Sequence, residues 1–394
     1  MAPTQRHNST IKRLPVFEDD RELQKFLEMN FTDSLKQMIK VVVKTMVKVE
    51  MESFRSEFHE KLSFNGTYGR NLTSTWGRID DVPIPRFRER VPELSLKATG
   101  VFEEEKEKFE QLIAQMHILG ISQRKIAEIA KVALKSPLSK NQVGFIHREL
   151  AEKEEFQINR QPLGDQFEYL LIDGIWEKTK GYGWEDNKSV LLCALGIKPD
   201  GSRKILGFTL ARREDTDSCL ALLKGIKERG LTGKNLKLAI CDDAPGIKAA
   251  VAQIYPAVPL QLCIVHKIRN VLRVTSHKHK AALAADLKTI FASQSKEEAL
   301  TTAKAVVKKW YLVQETAMNS LKYNLEYCFT YFQFERHLWS SLRTTNVMER
   351  EFREVRRRMK GFDSIFQSQE SGERYANTIL TYLNNHYPLT GHTH

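Results

Sequence analysis

Between residues 159 and 274 the hydrophobic pattern of the chain spells strands and helices in one particular order, and that order limits the folds open to it. Apolar runs at 167–172, 189–197 and 204–210 read as strands, and Pro199, Asp200 and Gly201 supply a turn between the second and third. Helical spacing follows at Leu220, Leu223 and Ile226, then a strand at 236–241, a helix over 244–254, a strand at 258–263 and a helix from Val265. The succession is βββαβαβα, a hairpin-joined meander followed by two crossover units. A doubly wound parallel sheet does not begin this way, because its strands are joined through helices. The expected core is a mixed sheet, and helical sequence returns over 275–337 as an insertion before the last motif.

The region upstream is of a different kind. Residues 21–62 are helix-forming and lack Pro and Gly, with Leu35, Ile39, Val42, Met46 and Val49 in a narrow 4-3-4-3 stripe. Such a stripe serves either to pair two subunits or to pack the helix on its own domain. Gly66, Gly69 and Gly77 interrupt it, and the segment 76–88 alternates Ile79, Val82 and Ile84 with polar residues and carries Pro83 and Pro85, the pattern of a short edge hairpin. Over 103–153 helices return: Phe109, Leu112, Ile113 and Met116 line one face, Gly120 breaks it, and Ser122 can cap a second helix carrying Ile126, Ile129 and Ala130. A third helix begins near Ser139, after a turn marked by Pro137. That order resembles a helix-turn-helix, whose last helix would lay Lys140, Asn141, Gln142 and His147 against a major groove; a plain three-helix scaffold gives the same pattern. The divisions expected are a helical N-terminal region with a possible role in dimerisation (1–75), a hairpin connector (76–102), a helix-turn-helix-like DNA-binding domain (103–158), the first part of the sheet core (159–274), a helical insertion (275–340) and the last helices of the core (341–394).

Charge and cysteine usage narrow the partners. With 61 Lys and Arg against 49 Asp and Glu, and a net charge of +12, the chain favours a polyanion, nucleic acid first and an anionic membrane surface second. Its five cysteines are sparse, odd in number and set in apolar runs, which argues against a disulfide framework and for a reducing compartment. The most apolar stretches are too short to span a bilayer and the N-terminus lacks an apolar signal region, so a cytoplasmic protein without a membrane partner is expected.

Phosphodiester chemistry assisted by two metal ions needs carboxylates that converge on ions about 3.5–4 Å apart. Asp173 ends the run Leu170-Leu171-Ile172 and is followed by Gly174; Asp242 ends Leu238-Ala239-Ile240-Cys241 on the expected neighbouring strand. Either Asp alone is an ordinary turn residue, but in this topology the two fall at adjacent strand positions. Asp243 follows directly, so either acid of the pair can face the site while the other caps the helix near Pro245. A third acid is available in Thr344-Thr345-Asn346-Val347-Met348-Glu349, which opens a helix carrying Arg350, Arg353, Arg356, Arg357 and Arg358. Locally, Asn346 and Glu349 also fit a capping box that needs no metal, and the arginines fit either phosphate contacts or a solvated basic face. Cys263-Ile264-Val265-His266 has the spacing of half a zinc site, with His277 and His279 as the nearby candidates to complete it; the other reading is a buried cysteine with His266 facing the catalytic edge. No Walker-type phosphate loop occurs.

Taken in order, Leu171-Ile172-Asp173-Gly174, Cys241-Asp242-Asp243-Ala244-Pro245-Gly246-Ile247, Cys263-x-x-His266-Lys267-x-Arg269-Asn270 and Thr344-Thr345-Asn346-x-x-Glu349 resemble the signature blocks of Mutator-type bacterial insertion-sequence transposases. Gly66-x-Tyr68-Gly69-Arg70 and the 76–88 segment extend the resemblance over most of the chain. It implies a multidomain α+β protein with an RNase H-like core and a helical insertion. It further implies Asp173, Asp242 and Glu349 as catalytic acids holding two Mg2+ or Mn2+ ions per site, and it favours Glu349 as a ligand over its capping-box reading. The implied partners are double-stranded DNA, as terminal inverted repeats and as target, and a second copy of the chain in a dimer; the implied setting is bacterial and nucleoid-associated. The activity expected is metal-dependent strand cleavage and strand transfer. Lys140, Asn141, Gln142, Arg350, Arg353, Arg356 and Arg357 are the expected DNA contacts, with Cys263 and His266 accessory to the active site. A DNA-binding regulator derived from a transposase, and an RNase H-like nuclease without strand joining, are the competing functions.

Overall fold

In the computed structural model the residues described are 31–58, 62–74, 77–91, 96–133, 138–153, 157–178, 188–359 and 368–386. The chain divides into two units, Met1–Gln115 with Arg124–Val143, and Met116–Gln123 with Gly144–His394.

In the first unit, helix α1 (Phe31–Phe58) lies on a two-stranded antiparallel hairpin, β1 (Phe64–Ser74) and β2 (Gly77–Phe87). Its packed face is Val43, Val47 and Met51, against Leu72, Ile79, Val82 and Ile84 of the hairpin. This stripe is offset from the one expected: Val42, Met46 and Val49 stay 48, 49 and 59 % exposed, together with Met38. A helix this rich in Val and Met carries two apolar stripes, and the inward residues of the hairpin select one of them. The hairpin is also longer than the 76–88 segment, because Gly66 and Gly69 lie inside β1 rather than between elements. Gly66 takes a φ of +67° where the register with β2 slips between Phe64 and Thr67, so its flexibility serves a bulge. Helices α2 (Lys97–Ile118), α3 (Gln123–Ala133) and α4 (Lys140–Glu152) follow, the last residues of α2, and α4 from Gly144 onward, belonging to the second unit. Ser139 and Gln142 cap α4 reciprocally: the Gln142 amide donates to Ser139 Oγ at 3.2 Å, and the Ser139 amide to Gln142 Oε1 at 2.8 Å.

The second unit is built on a five-stranded sheet of order β5-β4-β3-β6-β7. Strands β3 (Tyr169–Lys178), β4 (Lys188–Ile197) and β5 (Arg203–Ala211) form an antiparallel meander whose second turn places Gly201 at a φ of +78°. Helix α5 (Thr216–Glu228) then leads to β6 (Leu238–Cys241), α6 (Pro245–Ile254) to β7 (Leu260–Leu262), and α7 (Ile264–Arg273) leaves the sheet. Both β6 and β7 run parallel to β3, so the sheet is mixed, in a mixed α/β protein of many helices. Alternation along the strands splits the core in two. Leu170, Ile172, Val190, Leu192, Ala239 and Cys241 face α5, α6 and the helices that follow: α8 (Lys280–Phe291), α9 (Lys296–Trp310) and α10 (Glu315–Lys322). Tyr169, Leu171, Ile175, Leu191, Leu238 and Ile240 face a short α11 (Trp339–Leu342), then α12 (Asn346–Met359) and α13 (Gln369–His386). Each fully buried Leu or Ile contributes about 1.5–3 kcal/mol before the entropy of ordering is subtracted, so both layers anchor the sheet. Among the described residues no helix is long and apolar enough to cross a membrane.

Candidate active site

The two aspartates are brought together by register. β3 and β6 pair in parallel from Tyr169 with Leu238 to Ile172 with Cys241, so Asp173 and Asp242 are the next residues on each chain. Alternation puts both on the face shared by Leu171 and Ile240, toward α12. Asp173 is not a strand end, as the sequence suggested: β3 continues to Lys178 because β4 pairs with it throughout, and only the parallel pairing stops at Ile172. Its carboxylate is 6 % exposed and accepts the Gly174 amide at 2.8 Å. Burial holds its pKa above the usual carboxylate range, with Asp242 adding to the rise, while His266, the Gly174 amide and the Thr345 hydroxyl pull against it.

Cys263 joins the strand ends to the third acid. Its amide donates to the Cys241 carbonyl at 2.8 Å, and its sulfur receives both the amide and the hydroxyl of Thr345 at 3.4 Å. The Ile264 amide bonds the Arg343 carbonyl at 3.1 Å, so the start of α7 and the turn before α12 are tied at two points. The Glu349 amide bonds the Thr345 carbonyl at 3.1 Å, and the Glu349 carboxylate faces α7: Arg269 Nη2 donates to it at 3.1 Å and His266 Nε2 lies 4.0 Å away. The capping box of Asn346 and Glu349 is therefore not what holds this carboxylate. Burial depresses the His266 imidazole, but the Cys263 thiol beside it and the charges of Asp173 and Asp242 outweigh burial and raise it to about 9. Burial likewise pushes the Cys263 thiol up, and His266 with Thr345 brings it below its usual value. The acids thus face an imidazole whose hold on a proton is strengthened, and one guanidinium.

Among the described residues no zinc site completes the Cys-x-x-His pair. Cys263 is engaged with Thr345, and His279 packs edge-on against Trp310 at 5.5 Å. Among the described residues no three His, Cys, Asp or Glu side chains stand close enough to hold a metal ion as they are placed.

Asp243 belongs to a separate buried network. Its carboxylate receives Lys248, Lys267 Nζ at 2.7 Å and Asn324 Nδ2 at 2.9 Å, and Lys267, only 3 % exposed, also donates to the Tyr323 carbonyl at 2.7 Å. Burial would raise this carboxyl, but the two ammonium groups and the amide hold it below its usual range. The Asp243 amide in turn donates to Asp242 Oδ1 at 2.6 Å, so the network steadies the neighbouring acid.

A family model described as "Transposase, Mutator family" matches residues 16–389. The chain belongs to the Mutator family of transposases. It is 27 % identical over 332 residues to the transposase for insertion sequence element ISRM5 of Rhizobium meliloti (strain 1021), covering 83 % of this chain and 82 % of that protein. It is also 27 % identical over 382 residues to the transposase for insertion sequence element IS256 in transposon Tn4001 of Staphylococcus aureus, covering 93 % and 94 %. To the transposase for insertion sequence element IS6120 of Mycolicibacterium smegmatis it is 33 % identical over 193 residues, covering 49 % and 58 %.

In this Mutator-family chain one further acid stands at the site that sequence reasoning missed. Glu214 precedes α5, whose N-cap Asp215 accepts the Ser218 amide at 2.9 Å. A Cβ at Gly174 would fall 2.8 Å from Val190 Cγ2 and closer still to a Glu214 carboxylate oxygen. A Cβ at Gly246 would fall 2.8 Å from the Glu214 carbonyl oxygen. Two glycines beside the two aspartates thus make room for one segment, and burial with the charges of Asp173 and Asp242 pushes the Glu214 carboxyl up to about 7. The signal in the sequence was the glycines, which are indistinguishable there from turn residues.

The expected DNA contacts are placed as follows. Lys140 and Asn141 are exposed on α4, whereas Gln142 uses its side chain in the cap. His147 is corrected: it is 3 % exposed, bonds Thr378 Oγ1 at 3.1 Å and stacks on Tyr375, because it falls on the core stripe with Val143 and Leu150. Arg350, Arg353, Arg356 and Arg357 are exposed on α12, with Arg357 bonded to Glu354 at 2.9 Å, while Arg358 is fully buried.

Proposed function

We propose that this chain is the transposase of an insertion sequence, binding the terminal inverted repeats of its element and carrying out metal-dependent strand cleavage and strand transfer at Asp173, Asp242 and Glu349. One observation carries the reading: two aspartates next to each other in register at the end of a parallel strand pair, on the face packed by the helix that bears Glu349. The strand order β5-β4-β3-β6-β7, with its antiparallel meander and two parallel strands, supports an RNase H-like core.

Carboxylates are hard oxygen donors of the kind Mg2+ and Mn2+ take, and the three acids fit two such ions in donor type; Asp173 and Asp242 stand side by side at the end of a parallel strand pair, and Glu349 would complete the set by turning from Arg269. When bound, the ions polarise the reacting phosphodiester and steady the attacking and leaving oxygens. Asp173 and Asp242 hold the metal side of the site from the sheet. Glu349 joins them from α12 once its carboxylate leaves Arg269. His266 and Arg269 supply positive charge at the same edge, suited to a phosphate oxygen. Arg350, Arg353, Arg356 and Arg357 extend that charge along α12, where backbone phosphates provide affinity without sequence information. Lys140 and Asn141, near the start of a capped helix in a helix-turn-helix-like order, are the contacts proposed to read the element's ends. The exposed stripe Met38, Val42, Met46 and Val49 is the surface proposed to pair two copies.

The test is cleavage and joining of a labelled duplex carrying the element's terminal repeat, in Mg2+ or Mn2+, with the intact chain and Glu349→Gln at matched DNA occupancy. Joined product that needs both the metal and Glu349 is the expected result. Cutting without joining would make the chain a nuclease; tight binding without chemistry in either metal would make it a DNA-binding regulator.

A further inference from the structure

Helix α7 carries one feature that the three acids do not use. Ile264, Lys267 and Val271 are its buried residues. On the adjoining face Val265, Ile268 and Leu272 are half-buried, packed along the edge of the same core, and lie beside Arg269 and Arg273. With Lys280 at the start of α8, these residues line an open cleft of about 480 Å³. The cleft has an apolar floor, three cations and no carboxylate among its lining residues. It begins at the site, since Arg269 is the residue that donates to Glu349.

An occupant must offer repeated negative charge and flat apolar surface together. A DNA strand does so, with phosphates on one side and sugars and bases on the other. Arg269 and Arg273 are four residues apart, about 6 Å along the helix axis; two base-pair steps of a duplex advance about 7 Å. We propose that this cleft carries the DNA strand leading to the reacting phosphate, its phosphates on Arg269, Arg273 and Lys280 and its sugars and bases over Val265, Ile268 and Leu272. The inference rests on the reading of the chain as a DNA-cutting enzyme. It gives Arg269 a definite part: an arriving phosphate competes with Glu349 for the guanidinium, so loading the strand releases the third acid toward Asp173 and Asp242.

Contacts to the strand backbone are blind to sequence, and that decides the experiment. The affinity of the full chain is measured between about 50 and about 200 mM salt for a duplex carrying the element's terminal repeat and for a scrambled duplex of equal length. The variant is Arg273→Gln with Lys280→Gln, which keeps the stems over the apolar floor and removes the charges; Lys224→Ala on α5 is the control, and melting curves check the fold. The expected result is weaker binding of both duplexes by the double variant, with the slope of log affinity against log salt shallower by about 2, and an unchanged slope for the control. Unchanged slopes in the double variant overturn the proposal, as does weakening confined to the terminal-repeat duplex, which would mean base readout instead. If the intact chain itself shows no salt-dependent DNA binding, the proposed function fails and the cleft with it, an outcome distinct from failure of the cleft alone.

Discussion

Arg269 and Glu349 meet across 3.1 Å although 80 residues separate them, and the contact joins the helix that leaves the sheet to the helix that brings the third acid. Their side chains are 57 % and 38 % exposed, so solvent screens the pair and limits its contribution to at most about 1 kcal/mol. Stability and chemistry should therefore separate at this position. Glu349→Gln is expected to melt within a few degrees of the intact chain while cleavage of terminal-repeat DNA falls at least ~10³-fold, the scale expected for a group needed in the transition state. A rate within tenfold of the intact chain would remove Glu349 from the chemistry, and a large loss of stability would make it a structural residue.

The adjacent acids Asp242 and Asp243 should give opposite results. Asp243→Ala leaves Lys267, 3 % exposed, and Lys248 without their carboxylate, and breaking a buried pair from one side costs about 3–5 kcal/mol. Asp242→Asn keeps the acceptor for the Asp243 amide and removes one charge from beside Asp173, so it should cost little stability and abolish strand cleavage. Denaturant melts of the two variants, set beside their cleavage rates, check this. The reverse pattern, with Asp243→Ala stable and Asp242→Asn unfolded, would exchange their roles.

Much of this site is legible in the chain because its determinants are local. The strand order follows from apolar runs and turn residues, and Asp173 and Asp242 stand out as acids closing such runs. What escapes depends on partners distant in sequence. Gly174 reads as a turn residue after Asp173, yet β3 continues through it, and the space it leaves is taken by Glu214, 40 residues on. Asp243 is interchangeable with Asp242 until Lys267 and Asn324 are brought to it. Glu349 fits a capping box until Arg269 is seen against its carboxylate. His147 is different: its spacing from Val143 and Leu150 places it on a buried stripe, and that periodicity outweighs the helix-turn-helix pattern.

The apolar stripe of α1 yields a prediction about assembly. Val43, Val47 and Met51 hold the helix on its hairpin, leaving Val42 and Met46 about half exposed on another face. A carboxylate there meets water in a single copy and an apolar surface in a pair, so Val42→Glu with Met46→Glu should leave the fold intact and halve the mass measured by sedimentation. An intact chain that sediments as a monomer at micromolar concentration would refute pairing through this stripe, as would a double variant that keeps the dimer mass.

Acid should loosen the second unit through two histidines that lie outside the candidate active site. His117 at the end of α2 and His147 on α4 pack edge to face at 4.7 Å; the Tyr375 hydroxyl lies 3.0 Å from His117 Nε2, and Thr378 bonds His147. Burial, with each other's charge for His117 and Arg374 for His147, pushes their pKa values down to about 2 and about 4. Unfolded, both titrate near 6.5. The folded protein thus refuses protons that the unfolded chain accepts, and the stability these neutral rings permit is fully present above about pH 7. It falls as pH drops through 6.5, by roughly 1.4 kcal/mol per pH unit for each ring, until the folded state itself takes up protons near pH 4 and below. Melting temperature should consequently decline between pH 7 and pH 5, and His117→Gln should make that decline about half as steep by removing one of the two titrations. A decline of unchanged steepness in the variant would assign the acid sensitivity to other groups, since burial holds the Tyr375 hydroxyl well above this range and Thr378 carries no ionisable group.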